Sequence, residues 1–201
     1  TRAMERMLLE NDLRHALERN EMLIYYQPQA DLYNGSIIGM EALLRWQHPQ
    51  NGLMLPGSFI PLAEETGLIN PIGEWVLRTA CARLKTWMDA GMCKSRVSVN
   101  LSSIQFKQKN LVEVVAAALH DSGLPPECLE LELTESMIMH DAESTILLLQ
   151  RIKALGVKIA IDEAVGDRLL VASLHQHILQ TVESDHRIAG HTESRALLAR
   201  Q

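Results

Sequence analysis

The sequence is short of the features that mark secreted, membrane-spanning or nucleic-acid-binding proteins. Its three cysteines, Cys81, Cys93 and Cys128, have no paired spacing, so they read as reduced thiols of a cytosolic protein and not as a disulfide framework. Apolar runs such as Val114 to Leu119 fall far below the roughly 18 residues of a membrane span. The start, Thr-Arg-Ala-Met-Glu-Arg, lacks the apolar stretch of a signal peptide. Lys and Arg number 19 against 25 Asp and Glu, a formal charge of −6. A nucleic-acid polymer would call for a basic patch or stripe, so none is expected as a partner. An anionic ligand must then be met locally, by a metal or a placed arginine. No glycine-rich dinucleotide loop is present either. The expected location is cytoplasmic. The chain begins with Thr1 and so reads as a piece of a longer protein, whose other parts could include a membrane anchor.

What is present suits a folded domain. A hydrophobic fraction of 47% with 22% charged residues is ordinary for a chain that buries a core. Its length of 201 residues fits one domain, or one domain with an appendage. Residues 1–20 show helical spacing (Met4, Met7, Leu8, Ala16, Leu17) and predict a packing or linker helix. Met22 to Gln27 is an apolar and aromatic run that Pro28 stops, and Asn34-Gly35 turns the chain into a second strand at 37–44. Helical stretches follow at about 58–66 and 71–90. Strands at 96–101, 129–134 and 157–162 then alternate with helices at 110–122 and 141–155. This alternation predicts an α/β fold with a parallel sheet. A (β/α) barrel leads, with an open doubly wound sheet behind it.

Four acceptor-rich residues stand out against that frame. Glu41 sits towards the end of the second predicted strand, Asn100 near the end of the third, Glu132 in the fourth and Asp162 at the end of the fifth. Their separations are 59, 32 and 30 residues, the last two being single βα repeats. In a parallel barrel such strand ends meet on one rim. Buried charge is costly unless paired or metal-bound, and hard oxygen ligands suit Mg²⁺ or Mn²⁺. Taken singly, a Glu in such a strand also fits a plain solvent-facing charge, and Glu130 and Glu132, which share one face, are both open to that reading.

The segments Glu41-Ala-Leu-Leu-Arg45-Trp46, Phe59-Ile-Pro-Leu-Ala-Glu64-Glu65-Thr-Gly67, Ser98-Val-Asn100-Leu-Ser102 and Glu132-Leu-Thr-Glu135-Ser136 resemble the motifs of EAL-domain cyclic di-GMP phosphodiesterases, in that family's order and spacing. The resemblance runs from about residue 23 to Asp162. It implies a TIM-barrel-like (β/α)8 fold and two divalent metals that activate a water to open cyclic di-GMP to linear pGpG. It implies metal ligation by Glu41, Asn100, Glu132 and Asp162, and catalytic roles for Glu41, Asp162 and Glu163. Arg45 matches the phosphate-contacting arginine and Gln27 a ligand-facing position. Glu135 matches a glutamate that steadies a loop. It also points to a homodimer and to an upstream GGDEF or sensor domain as partners.

After Asp162 the resemblance departs. The family reads Asp-Asp-Phe-Gly-Thr-Gly, whereas this chain reads Asp162-Glu163-Ala164-Val165-Gly166-Asp167, with no later Lys-Ile-Asp strand. The domain organisation expected is a linker helix at 1–20, a partial EAL domain at 21–162 and a divergent helical or irregular tail at 163–201. Only 39 residues follow Asp162, while three more βα units of roughly 30 residues need about 90. The sequence alone therefore predicts an incomplete barrel of about five strands with low stability. A reading-frame change and a divergent C-terminal element both explain the tail. Alternatively to turnover, the domain binds cyclic di-GMP or a partner without hydrolysis.

Overall fold

The computed structural model describes residues 2–31, 33–134, 137 and 142–162. Elements follow in the order α1 (Arg2–His15), β1 (Met22–Ala30), β2 (Ile37–His48), β3 (Gly52–Met54), α2 (Ile60–Thr66), α3 (Ile69–Asp89), β4 (Arg96–Asn100), α4 (Ser103–Phe106), α5 (Leu111–Ser122), β5 (Leu129–Thr134), α6 (Ala142–Ala154) and β6 (Lys158–Asp162). The strands form one sheet in the order β1-β2-β4-β5-β6, with β3 paired to β2. Strands β2, β4, β5 and β6 run parallel, and β1 and β3 are antiparallel to β2.

Strand alternation divides the sheet into two unlike faces, because successive side chains point to opposite sides. One face carries Met22, Ile24 and Tyr26 on β1, Ala42, Leu44 and Trp46 on β2, and Val97 and Val99 on β4. Leu129, Leu131 and Leu133 on β5, with Ile159 and Ile161 on β6, continue it. These residues join the hydrophobic core with α3 and α6, and α5 packs against both helices. Helix α3 supplies Ile69, Ile72, Val76, Ala80 and Leu84, buried at steps of three and four residues as one helical face requires, with Leu77 buried beside them. Tyr26 meets Trp87 of α3 edge-on with ring centroids 4.8 Å apart.

The other face is mainly polar. Registered across it are Gln27 and Gln29, Glu41 and Arg45, Arg96, Ser98 and Asn100, Glu130, Glu132 and Thr134, and Lys158. On β4 and β5 polar side chains occupy every second position, while Leu23, Tyr25, Leu43 and Ala160 interrupt the polar face on β1, β2 and β6.

Two sequence expectations need correction. Pro28 does not stop the first strand, which continues to Ala30. β1 lies at the end of the described strand order, where a missing N–H costs no inner ladder bond. Glu41 is not towards the end of its strand, since β2 extends as far as His48. That extension is held by the β3 hairpin, which pairs Trp46 with Met54 and His48 with Gly52. The positions 163–201, read as a divergent tail, lie outside the described residues, and with them the question of barrel closure.

Helix α1 is joined to the far end of β2 by a buried polar cluster. Leu13 and Ala16 are buried against the core. Glu21, only 8% exposed, accepts a hydrogen bond from the fully buried Trp46 indole, Nε1 to Oε2 at 3.0 Å. His48 Nδ1 accepts from the backbone N–H groups of Gln50 and Asn51 at 3.2 and 3.1 Å. That leaves its Nε2 facing Asp12 Oδ2 at 3.4 Å.

Candidate functional site

The polar face of the sheet gathers the residues that the sequence singles out. Glu41 on β2 stands in register with Ser98 on β4, and Asn100 on β4 with Glu132 on β5. Asn100 Nδ2 donates to Glu41 Oε1 at 2.7 Å. Glu132 Oε1 accepts from Gln29 Nε2 at 3.5 Å, reaching across from β1. Thr134, next on the same face of β5, pairs in register with Asp162 at the end of β6. Three of the four expected ligand residues, Glu41, Asn100 and Glu132, are therefore neighbours on one surface. Asp162 is described by its backbone, which enters the same register. Glu163 and Glu135 lie outside the described residues.

Electrostatics mark the place. Burial pushes the Glu132 carboxyl above the ordinary carboxylate range, with the Glu41 charge adding to the rise while Ser98 and Gln29 act against it. Two carboxylates are drawn together here, with the Asn100 amide on the strand between them. Nearby, Glu130 is served by protein groups instead. Ser98 Oγ donates to Glu130 Oε1 at 3.0 Å, and Arg96 Nε lies 3.2 Å from the same oxygen. Glu130 is thus not a free surface charge, and its own charge adds to the rise at Glu132.

This donor set fits a hard divalent cation. Two carboxylates and an amide offer oxygen ligands, the type such ions prefer, and the raised Glu132 pKa reflects burial first and the Glu41 charge after it, both of which a bound cation would offset. Among the described residues no group of three or more His, Cys, Asp and Glu side chains is gathered in metal-binding fashion. Asn100 completes the trio here.

Arg45 shares the Glu41 face four residues further along β2, about 13 Å away at ~3.3 Å per residue. Its Nη1 donates to the carbonyl of Leu44 at 2.8 Å, and its guanidinium lies 5.6 Å from the Tyr25 ring centroid. Gln27, registered directly opposite Glu41, is exposed. Sequence reasoning missed Gln29. Its signal is its position two residues after Gln27, on the same side of the strand, masked by the intervening Pro28, which reads as a strand end. Sequence reasoning also missed the capping box that follows Asn100. Ser102 caps α4, its side chain accepting from Gln105 N at 3.3 Å, while Gln105 Oε1 accepts from Ser102 N at 3.1 Å. The Ser-x-x-Gln spacing was its legible sign.

Beside this rim, a cavity of about 430 Å³ opens between the sheet and helices α2 to α4. Leu43, Ile60, Ile72 and Val76 give it apolar walls, and Glu64 and Asn100 are among its few polar ones.

Comparison with known proteins agrees with this geometry. The model of the EAL domain family matches residues 10–199, past the last motif recognised at Asp162. The chain is 49% identical over 161 residues to the bifunctional diguanylate cyclase/cyclic di-GMP phosphodiesterase MucR of Pseudomonas aeruginosa, covering 80% of this chain and 24% of that protein. It is 41% identical over 162 residues to the cyclic di-GMP phosphodiesterase NbdA of the same organism, covering 81% and 21%. The chain therefore spans about a quarter of the length of these curated relatives. Among solved structures, a complex of the MucR phosphodiesterase with cyclic di-GMP superimposes with a TM-score of 0.75 at 50% identity, over 77% of this chain and 63% of that one. The FimX EAL domain of Xanthomonas citri, also in complex with cyclic di-GMP, gives 0.70 at 26% identity over 80% and 63%.

Proposed function

This chain belongs to the EAL domain family, with its TIM-barrel-like α/β fold, and from that membership we propose that it acts on cyclic di-GMP as a metal-dependent phosphodiesterase, yielding linear pGpG. The observation that carries the reading is the convergence of Glu41, Asn100 and Glu132 on one polar sheet face, with Arg45 on the same face. Support also comes from MucR and NbdA, whose names give them that activity, and from the MucR complex with the nucleotide.

In this reading Glu41, Asn100, Glu132 and Asp162 hold Mg²⁺ or Mn²⁺. A bound divalent ion supplies a lowered pKa for water and an offset for phosphoryl charge. Asn100 contributes by turning its amide, so that Oδ1 takes the place Nδ2 now has toward Glu41. Arg45 exchanges the Leu44 carbonyl for a phosphate oxygen, a role matched to its planar guanidinium. Gln27, exposed opposite Glu41, donates to the ligand. Glu163, adjoining Asp162, carries the second catalytic carboxylate in place of the family's aspartate, and Glu135 steadies the adjoining loop. Residues 1–20 serve as a linker, 21–162 as the site-bearing part and 163–201 as an appended segment. The bifunctional MucR makes an upstream cyclase-type domain a natural partner, alongside a second copy of the chain.

The test is incubation with cyclic di-GMP and Mg²⁺ or Mn²⁺, followed by chromatography. Appearance of pGpG that disappears with EDTA is expected, and Arg45→Ala is expected to weaken nucleotide binding about tenfold or more. A chain that binds the nucleotide saturably without product would instead favour the binding-module reading, to which Glu163 in place of aspartate lends support. Undiminished binding by Arg45→Ala would remove Arg45 from the site.

A further inference from the structure

Helix α3 contains a glycine where helices disfavour one. Gly73 is buried in its second turn, and glycine inside a helix costs roughly 1 kcal/mol relative to alanine. Packing explains it. A Cβ added at Gly73 would fall 1.6 Å from Gln105 Nε2 and 2.5 Å from its Cδ, far inside van der Waals contact. The Gln105 side chain occupies the space a methyl group would fill, and the residue is only 4% exposed.

Gln105 uses that seat to hold the chain just after Asn100. Its Oε1 accepts from the backbone N–H of Ser102, and its own N–H donates to Ser102 Oγ. Asn100 is thereby fixed from both directions. Before it, β4 pairs with β5 through the Asn100–Glu132 register, continued by Leu101 N to Glu132 O at 3.0 Å. Two residues later the reciprocal cap sets the backbone, and Phe106 N to Ser102 O at 3.0 Å closes the turn. Past the Leu101–Glu132 bond the strand ladder gives Asn100 no further support. The cap supplies the missing constraint.

We infer that Gln105, seated against Gly73, is a positioning residue that aims Asn100 at the cation site on the polar face. The inference rests on the metal reading given above and adds a residue to it. Groups that orient a metal ligand without touching the metal typically change affinity by about 10–100-fold when removed. Gln105→Ala leaves Ser102 N without its acceptor and empties the seat, so Mn²⁺ affinity of the whole chain should fall about tenfold or more. Gly73→Ala displaces Gln105 and should lower both Mn²⁺ affinity and Tm.

The double variant Gly73→Ala with Gln105→Ala separates positioning from stability. Without the glutamine the added methyl group has room, so Tm should recover to that of Gln105→Ala or above. Mn²⁺ affinity should stay low, because the cap is still missing. Titration of each chain with Mn²⁺, followed by electron paramagnetic resonance of the free ion, reads affinity without reference to activity. Binding by Gln105→Ala within twofold of wild type overturns the inference, as does affinity in the double variant that recovers in step with Tm. A wild-type chain that takes up no Mn²⁺ overturns the metal reading itself, and this inference with it.

Discussion

With burial and the Glu41 charge both acting on it, the Glu132 carboxyl holds its proton more readily in the folded chain than in the unfolded one. The sign of the consequence follows from linkage. A folded-state pKa raised above the unfolded value contributes stability below the ordinary carboxylate range, near pH ~4.3, and that contribution is lost as pH climbs through the folded value. The cation-free chain should therefore lose stability as pH rises out of that range. Glu132→Gln, which carries no charge at any pH, should melt above wild type at pH 7 in EDTA. The gap should close as pH falls back into the ordinary carboxylate range. Scanning fluorimetry across pH reads it directly, and a variant that melts lower than wild type at pH 7 would contradict the electrostatic account. In the hydrophobic face the residue scale is simpler. Leu131 is fully buried in β5, and Leu131→Ala should cost about 2–5 kcal/mol through lost burial and a residual cavity, measured by denaturant titration.

Strand β2 carries both Glu41 and Arg45 and is held at its far end by α1. The Trp46 indole N–H has the Glu21 carboxylate as acceptor in a buried setting. Glu21→Ala strands that donor, and a buried unsatisfied group costs about 1–3 kcal/mol. The expected result is a lower Tm and easier proteolysis of α1. Glu21→Gln retains an acceptor oxygen and should lose less. How legible these elements were depended on their patterning. Leu129 to Thr134 alternates so regularly that its strand bounds were read correctly, and α5 was placed within one residue at its start. β3 was not foreseen, because three residues are too few to show a period. Pro28 misled because a proline marks a strand's end only when its N–H is needed, which depends on neighbours the sequence does not display. The site was legible through Glu41, Asn100 and Glu132. Gln29 and Gln105 were not, since these two glutamines reach the site only through a contact 103 positions away in the chain, in the first case, or a seat against a distant glycine, in the second.

At the scale of the whole molecule, a cation that binds only the folded chain must stabilise it by mass action. At a hundredfold excess of Mg²⁺ over its Kd the gain is about 2.7 kcal/mol, or roughly 5–10 °C for a domain of this size. That upward shift should be present in wild type and absent or much reduced in Glu132→Gln, which reverses the order of the two chains found in EDTA. No shift in wild type at millimolar Mg²⁺ or Mn²⁺ would count against the ion altogether. Because the chain spans only about a quarter of relatives such as MucR, these measurements report on the part and not on control by further domains. The two-faced sheet also constrains how such a sequence can change length. Glu41 and Arg45 look out from one side of β2 while Ala42, Leu44 and Trp46 look into the core. Inserting one residue between Glu41 and Arg45 would turn the guanidinium into the hydrophobic layer and bring Trp46 out into water, or force the whole strand to slip. Two inserted residues would leave both sides in order and merely lengthen the reach between carboxylate and arginine. Natural variation along this strand should accordingly come in even steps, or as a bulge that absorbs the odd one.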